Sequence, residues 1–332
     1  MDETGDSTEA TIRRKISLIV PVYNEKGAIR PFITAVELAI ASLEAEFDIL
    51  FIDDGSSDTT CEEILGVAKS CALPISLIAF SKNFGKEAAL TAGLDAAIGD
   101  AVIPIDVDLQ DPPELIPAFV EEWRKGYKVI YGRRTNRSQE SWVKRATSSA
   151  FYRTFNFVAQ SDIPINAGDF RLIDRSVIDA LATYRERTRF MKGLFSTVGF
   201  KTTYVEYTRP IRQVGITKWN YWKLWNFALD GIFSFSTLPI RIWTYIGTVI
   251  ATISIIYAVI IVAKTLIFGL DVPGYASLIT VVLFIGGIEL ISLGIIGEYI
   301  ARIFLETKQR PIYTTDYSKS SICVHDQPPG KS

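Results

Sequence analysis

Three short polar stretches carry most of the residues able to do chemistry: Pro21-Val22-Tyr23-Asn24-Glu25, Asp53-Asp54-Gly55-Ser56-Ser57-Asp58 and Asp106-Val107-Asp108-Leu109-Gln110. Asp106 and Asp108, two residues apart, can offer carboxylate oxygens to a hard cation, and Gln110 adds a neutral oxygen. An all-oxygen set with few carboxylates suits Mg2+ or Mn2+ completing its shell from a diphosphate. The carboxylates together point to a nucleotide recognised through base and ribose, with the cation bridging its phosphates. Other chemistries are excluded. The one histidine, His325, lies in a polar tail, so a Ser-His-Asp triad, a core Cys-His pair and a multi-histidine zinc site are all ruled out. Cys61, Cys71 and Cys323 are too scattered for a disulfide framework or a paired-cysteine metal cluster, which suits a reducing compartment. Neither a GxxxxGK[ST] loop nor a GxGxxG turn is present. With 35 basic against 37 acidic residues, the net charge of −2 implies no general affinity for nucleic acid.

The elements that must position these residues are legible as an alternation. Short apolar runs at 16–22, 47–53, 75–80, 101–106 and 128–131 are separated by segments of helical periodicity such as 27–45 and 86–97. That order predicts an open, mainly parallel sheet covered by helices on both faces, an α/β head of Rossmann-like type. Ligands of such sheets bind at the carboxyl ends of the strands, where the three polar stretches fall, so they should share one rim.

Beyond the head the chain turns hydrophobic. No charged residue occurs from 242 to 263, and a second apolar run, 272–297, is interrupted only by Glu289. Each matches the ~20 residues that cross ~30 Å of hydrocarbon as a helix. Basic residues before the first run (Arg209, Arg212, Lys218, Lys223, Arg241) and after the second (Arg302, Lys308, Arg310) place both ends in the cytoplasm. The first fifteen residues are polar, with no apolar signal segment. Two further stretches read as interfacial amphipathic helices. One spans 219–235 with seven aromatics; the other, near 141–159, lies within a basic region that has Glu140 as its only acid between Arg124 and Arg153. Gly286, Gly287, Gly294 and Gly297 would let helices pack closely, as in a homo-oligomer. Glu289 fits a structural place near the headgroups better than a transport role.

The ordered series VPVYNE, DDGSSD, SKNFGKEAALTAGLD, DVDLQDPPE, GDFRL, RQVGITKW and GEYIARIFLETKQRPIY resembles family-2 glycosyltransferases of the GT-A fold. More narrowly it resembles the polyprenyl-phosphate glycosyltransferases, over about residues 15–313. The resemblance implies that Pro21, Tyr23, Glu25 and Asp53, with Asp54 beside it, contact the nucleoside, and that Asn83 and Lys86 face the nucleotide or sugar. It makes Asp106, Asp108 and Gln110 the metal set, Arg212 and Lys218 a basic segment closing over the diphosphate, Arg133 and Arg145 the acceptor-phosphate contacts, and Asp169 the candidate base. Asp108 and Asp169 are thus the expected catalytic residues. Thr217 stands where the family more often has Ser, which keeps the hydroxyl. The QxxRW signature of processive polysaccharide synthases is absent.

The expected layout is a disordered N-terminus (1–14), a GT-A catalytic domain (15–215), an interfacial helix (216–238), a transmembrane hairpin (239–300, with spans at about 242–263 and 273–297) and a cytosolic tail (301–332), polar and disordered after Tyr317. The expected protein is a multi-pass enzyme of the cytoplasmic membrane with its head in the cytosol. It would be an inverting hexosyltransferase moving glucose from UDP-glucose to undecaprenyl phosphate, for cell-surface glycan modification such as that of O-antigen. Its partners would be the nucleotide diphosphate sugar, the polyprenyl phosphate and the bilayer, and no nucleic acid. The same residues also allow GDP-mannose, UDP-GlcNAc or UDP-aminoarabinose as donor. A non-catalytic nucleotide-sugar scaffold is the rival from another class, disfavoured by the intact metal set and basic segment.

Overall fold

The computed structural model describes residues 14–135, 167–184, 186, 191–208, 238–268 and 274–321. They fall into two compact units, a head that includes 161–219 and 311 onward, and a second unit built mainly from 220–310.

Seven strands form the head's sheet: β1 (Lys15–Val22), β2 (Glu46–Asp53), β3 (Ile75–Ala79), β4 (Ala101–Pro104), β5 (Val129–Arg134), β6 (Ala167–Asp174) and β7 (Thr202–Tyr207). Their order across the sheet is β3-β2-β1-β4-β6-β5-β7. β1 pairs in parallel with β2 and β4, and β2 with β3. The central strands are buried on both faces, which is why they read as continuous apolar runs such as Ile16-Ser17-Leu18-Ile19-Val20.

The sheet is mixed rather than mainly parallel beyond β4. β6 runs antiparallel to both β4 and β5, while β5 and β7 are parallel. β6 holds the GDFRL stretch: Phe170 and Leu172 face the core that helix α4 covers, and Phe170 packs on Phe119 at 4.8 Å between centroids. With five polar or small residues among its eight (AGDFRLID), β6 lacks the apolar run that marks β1 or β2.

Helices α1 (Ile29–Ile40), α2 (Thr60–Ala68), α3 (Lys86–Ala96), α4 (Ile116–Arg124), α5 (Arg175–Ala182) and α6 (Met191–Thr197) complete the head. α1 buries Ile29, Phe32, Ile33, Val36 and Ile40, the stripe that a 3.6-residue period dictates. α3 is made of small residues and lies close to the sheet: a Cβ on Gly93 would collide with the Ile19 side chain.

The second unit contributes α7 (Leu238–Phe268, 31 residues) and α8 (Tyr275–Thr307, 33 residues). Both outrun the expected spans and expose large apolar side chains all along, among them Val249, Ile253, Ile256, Ile260, Leu278, Val281, Phe284, Leu290 and Leu293. Among the described residues no helix is long and apolar enough to cross a membrane. The sequence carries no charged residue from 242 to 263. The two amphipathic stretches expected near 141–159 and 216–238 lie outside the described residues.

The tail differs from the expectation of disorder after Tyr317. Through Ser321 it is paired with the head, as detailed below.

Candidate active site

Strands β1, β2 and β4 all end at one rim, and the loops that leave them are cross-braced. Asn24 takes a left-handed conformation (φ 53°), its N–H donates to Ser56 Oγ at 2.8 Å, and its Oδ1 accepts from Ser57 N at 2.9 Å. Glu25 N donates to Thr60 Oγ1, and Gly27 N to Glu63 Oε2. Much of the second polar stretch therefore holds the first in place. Tyr23 is exposed, Pro21 and Glu25 are half-buried, and all three border this rim.

The paired acids at the end of β2 divide their work. Asp54 accepts from Phe84 N at 2.6 Å and from Gly85 N at 2.9 Å. Burial raises its pKa, against the pull of those two amides. Asp54, expected as a nucleotide contact, ties down the loop that opens α3: both of its oxygens accept from backbone donors. Gly55 makes this approach possible: it sits at φ +72°, and a Cβ there would overlap the Lys82 backbone carbonyl carbon and lie 2.7 Å from Asn83 N. Asp53 is almost fully buried; one oxygen accepts from Ser56 N at 3.0 Å, and Oδ1 has no hydrogen-bond partner among the described residues. Beside it the Cys61 thiol is pushed up to about 12 by burial and by the Asp53 charge, so it is no nucleophile.

At the end of β4 stands an ionic cluster. Lys86, the first residue of α3, reaches both Asp106 oxygens at 2.7 and 2.8 Å and Asp169 Oδ2 at 3.0 Å. Burial works to lower its pKa, but Asp169 and Asp106 outweigh it and raise the pKa, so Lys86 is a fixed cation. Asp108 Oδ1 accepts from Gln110 N at 3.1 Å across Leu109, which is held at φ 56°. Asp106, Asp108 and Gln110 are all half-buried on this turn. Among the described residues no three His, Cys, Asp or Glu side chains are placed to hold a metal ion. Two carboxylates and an amide nevertheless fit a hard divalent cation that takes further ligands from a diphosphate.

Behind the turn lies a second group, built on Asp111 and Tyr207, which sequence reasoning did not single out. Asp111 is buried and accepts from the Tyr207 hydroxyl at 2.8 Å, and that hydroxyl accepts from Arg134 Nε at 3.1 Å. Arg134 also stands 3.7 Å from Asp111. Burial, then the Asp106 charge, raise the Asp111 pKa; burial and Asp111 push Tyr207 up to about 12. Arg133, the expected acceptor contact, faces the other way. Its guanidinium lies over the Tyr204 ring at 3.8 Å and ion-pairs with Glu206. Alternation along β5 is the reason: Arg133 shares a face with Tyr131, and Arg134 shares one with Gly132, against Tyr207.

Asp53, Asp106, Asp108, Gln110 and Asp169 thus sit at strand ends or on loops of the rim, and Lys86 joins them from the start of α3. Asn83 is exposed on the loop that Asp54 holds. Arg145, Arg212 and Lys218 lie outside the described residues.

The head is an α/β fold whose strand-end rim gathers acids, one fixed lysine and a half-buried arginine. Residues 17–182 match Glycosyl transferase family 2, and residues 238–303 match the GtrB C-terminal hairpin. The chain belongs to glycosyl transferase family 2. It is 50% identical over 299 residues to a prophage bactoprenol glucosyl transferase homolog of Escherichia coli (strain K12), covering 90% of this chain and 97% of that protein. Identity and coverage are the same for the bactoprenol glucosyl transferase of Shigella phage SfV. An uncharacterized glycosyltransferase of Synechocystis sp. is 49% identical, with 90% and 94% covered. Among solved structures, a mannosyltransferase from Pyrobaculum calidifontis in complex with GDP-Man and Mn2+ is similar at a TM-score of 0.45 and 19% identity, over 68% of this chain and 64% of that one.

Proposed function

We propose that this protein transfers a hexose, glucose first among the candidates, from UDP-glucose to undecaprenyl phosphate at the cytoplasmic face of a membrane. The observation that carries the proposal is Lys86 clamped between Asp106 and Asp169 at the ends of β4 and β6, in a chain half identical over nearly its whole length to bactoprenol glucosyl transferases.

The residues divide the work as follows. Asp53, buried at the end of β2 with one oxygen bracing the next turn through Ser56 N, is the acid this reading assigns to the nucleoside end of the rim. Asp106, Asp108 and Gln110 would hold Mg2+ or Mn2+, which supplies charge neutralisation for the leaving diphosphate. Lys86 adds a fixed positive charge on the same side, and Arg212 and Lys218 join it from the basic segment. Arg134, oriented by Tyr207 and Asp111, and Arg145 receive the acceptor phosphate. A phosphate oxygen forms the new bond to the anomeric carbon with inversion. The bond from that carbon to the donor diphosphate breaks, and its electron pair leaves with UDP. The acceptor's second pKa is about 6, so at neutral pH most of it is already a dianion, and Asp169 either takes the residual proton or orients the phosphate.

Helices α7 and α8 form the membrane anchor of this proposal. Helices of 31 and 33 residues reach about 45 Å or more at ~1.5 Å per residue, enough to cross hydrocarbon with turns to spare. Many of their large apolar side chains are exposed, as lipid-facing helices require. The basic residues flanking both ends set the head on the cytoplasmic side.

The test is a donor panel with the full chain in membranes containing undecaprenyl phosphate, scored by lipid-extractable label. UDP-glucose should label the lipid, with activity lost in excess chelator and turnover reduced at least ~100-fold in a folded Asp108→Ala protein. Label from GDP-mannose alone would overturn the donor, and no lipid label from any donor would overturn the acceptor.

A further inference from the structure

The outer edge of the sheet is not left open. Residues 313–321 run antiparallel beside β3 and its continuation: Ser81 N donates to Thr314 O at 3.0 Å, Asp316 N to Ala79 O at 2.7 Å and Ser321 N to Leu77 O at 2.8 Å, with a bridge between Phe80 and Thr315. Hydroxyls complete the ladder. Ser321 Oγ accepts from Leu77 N at 2.7 Å, Ser320 Oγ accepts from Ala79 N at 3.0 Å, and the Thr314 and Ser81 hydroxyls meet at 2.7 Å. A strand edge paired in this way is shielded from other chains.

Edge shielding alone does not account for the aromatic contacts. Tyr313 stacks on Phe80 at 4.9 Å, nearly parallel, and Phe80 meets Phe84 edge-on at 5.7 Å. Phe84 and Gly85 are the residues whose N–H groups donate to Asp54, and Lys86 follows at once. The contacts therefore run Tyr313, Phe80, Phe84, then the loop that starts α3 and presents Asn83 and Lys86 to the rim.

We infer that residues 313–321 are a strap that positions the donor-binding loop 81–86, with Tyr313 as the positioning residue. The strap returns to the head after the hairpin, so the chain segment that leaves α8 also sets the geometry of the site. The inference rests on the proposed reading of that loop as part of the nucleotide-sugar site. Tyr313 acts on the loop through Phe80 and Phe84.

The experiment compares Tyr313→Ala and Tyr313→Phe in the full chain. Amide hydrogen exchange at Phe84 and Gly85 should quicken about fivefold to tenfold in Tyr313→Ala, the scale of one lost aromatic pair. Amides of β1 should keep their wild-type rates, and Tyr313→Phe should restore the loop. The KM for UDP-glucose should rise by a similar factor, with kcat and the KM for undecaprenyl phosphate unchanged. A Ser320→Ala/Ser321→Ala protein, which loosens the strap and keeps the ring stack, should shift the same two amides in the same direction by less. Wild-type exchange at Phe84 and Gly85 in a folded Tyr313→Ala protein overturns the inference, as does an equal rise in both KM values. Should the wild type fail to use UDP-glucose, the functional reading falls, while the exchange rates still decide the strap.

Discussion

Two adjacent arginines on β5 show how much depends on one residue of register. Arg133 is spent on Glu206 and the Tyr204 ring, whereas Arg134 is held toward the acidic turn by Tyr207 and Asp111. Charge-assisted contacts to a phosphate contribute about 1.5–3 kcal/mol, so Arg134→Ala should raise the KM for polyprenyl phosphate roughly tenfold or more. Arg133→Ala should leave it within about twofold, the value of an exposed ion pair. Equal effects of the two substitutions would return the acceptor site to the other face of β5. Asp169→Asn should lower kcat, with a deficit that shrinks as pH rises above the acceptor's second pKa near ~6; a constant deficit would mean that Asp169 positions and takes no proton. Far from the site, Asp174 caps α5 through Ser176 N and accepts from Trp123 Nε1 at 2.7 Å and Lys128 at 3.1 Å. Burial works to raise its pKa, but those donors prevail and lower it. The ionised form therefore stabilises the fold above the ordinary carboxylate value, and that contribution is lost as pH falls through the lower folded value. Asp174→Asn should melt below wild type at pH 7, by about 1–2 kcal/mol for a cap and its charged partner. The gap should close as the pH drops below ~3.9, which thermal melts across acid pH would show.

At the scale of elements, close approaches between loops govern the site. Gly55 lets the turn after β2 meet the backbone at Lys82 and Asn83, so Gly55→Ala combines a left-handed backbone with a clash. It should cost roughly 2–5 kcal/mol in denaturant melts and weaken nucleotide binding, because the Asp54 clamp on Phe84 and Gly85 would shift with it. An unaltered midpoint would mean that the loop adapts freely. The five strands read from apolar runs lie where the sequence places them, since strands buried on both faces have no choice but continuous apolar composition. β6 was harder to see: it carries Asp169 and Arg171 at alternate positions, and its antiparallel direction depends on partners distant in sequence. The strap was illegible for a related reason. Thr314, Ser320 and Ser321 look like a solvated tail, and their hydroxyls acquire meaning only from partners more than two hundred residues away: the Ser81 hydroxyl for Thr314, and the Ala79 and Leu77 N–H groups for the two serines. The rim itself was legible because strand-end acids are conspicuous, yet composition could not separate Asp54, which holds a loop, from Asp53, whose second oxygen has no partner among the described residues.

For the whole molecule, the division into units does not follow chain order. The head takes back residues 311 onward after 220–310 have formed the other unit, so the hairpin is an insertion into the head rather than an appendage at its end. A deletion that stops at residue 219 therefore removes two things at once, the anchor and the strap on β3. A head-only protein in which residues 14–219 are joined to 311–321 by a flexible Gly/Ser linker separates them. It keeps the ladder on Leu77, Ala79 and Ser81 and the Tyr313–Phe80 stack, and pays only the slowly growing entropy of a longer closing loop. This protein should melt above the one that stops at 219 and bind UDP more tightly, since it retains the positioned loop. Both head-only proteins should fall far below the full chain on undecaprenyl phosphate in vesicles, because neither has the apolar helices that, on the proposed function, bring enzyme and acceptor to one surface. If they differ instead on a short-chain, water-soluble polyprenyl phosphate, with the strapped head the more active, anchor and strap act independently. Equal melting and equal UDP affinity of the two heads would show that β3 needs no cover and that residues 311–321 merely trail from the hairpin.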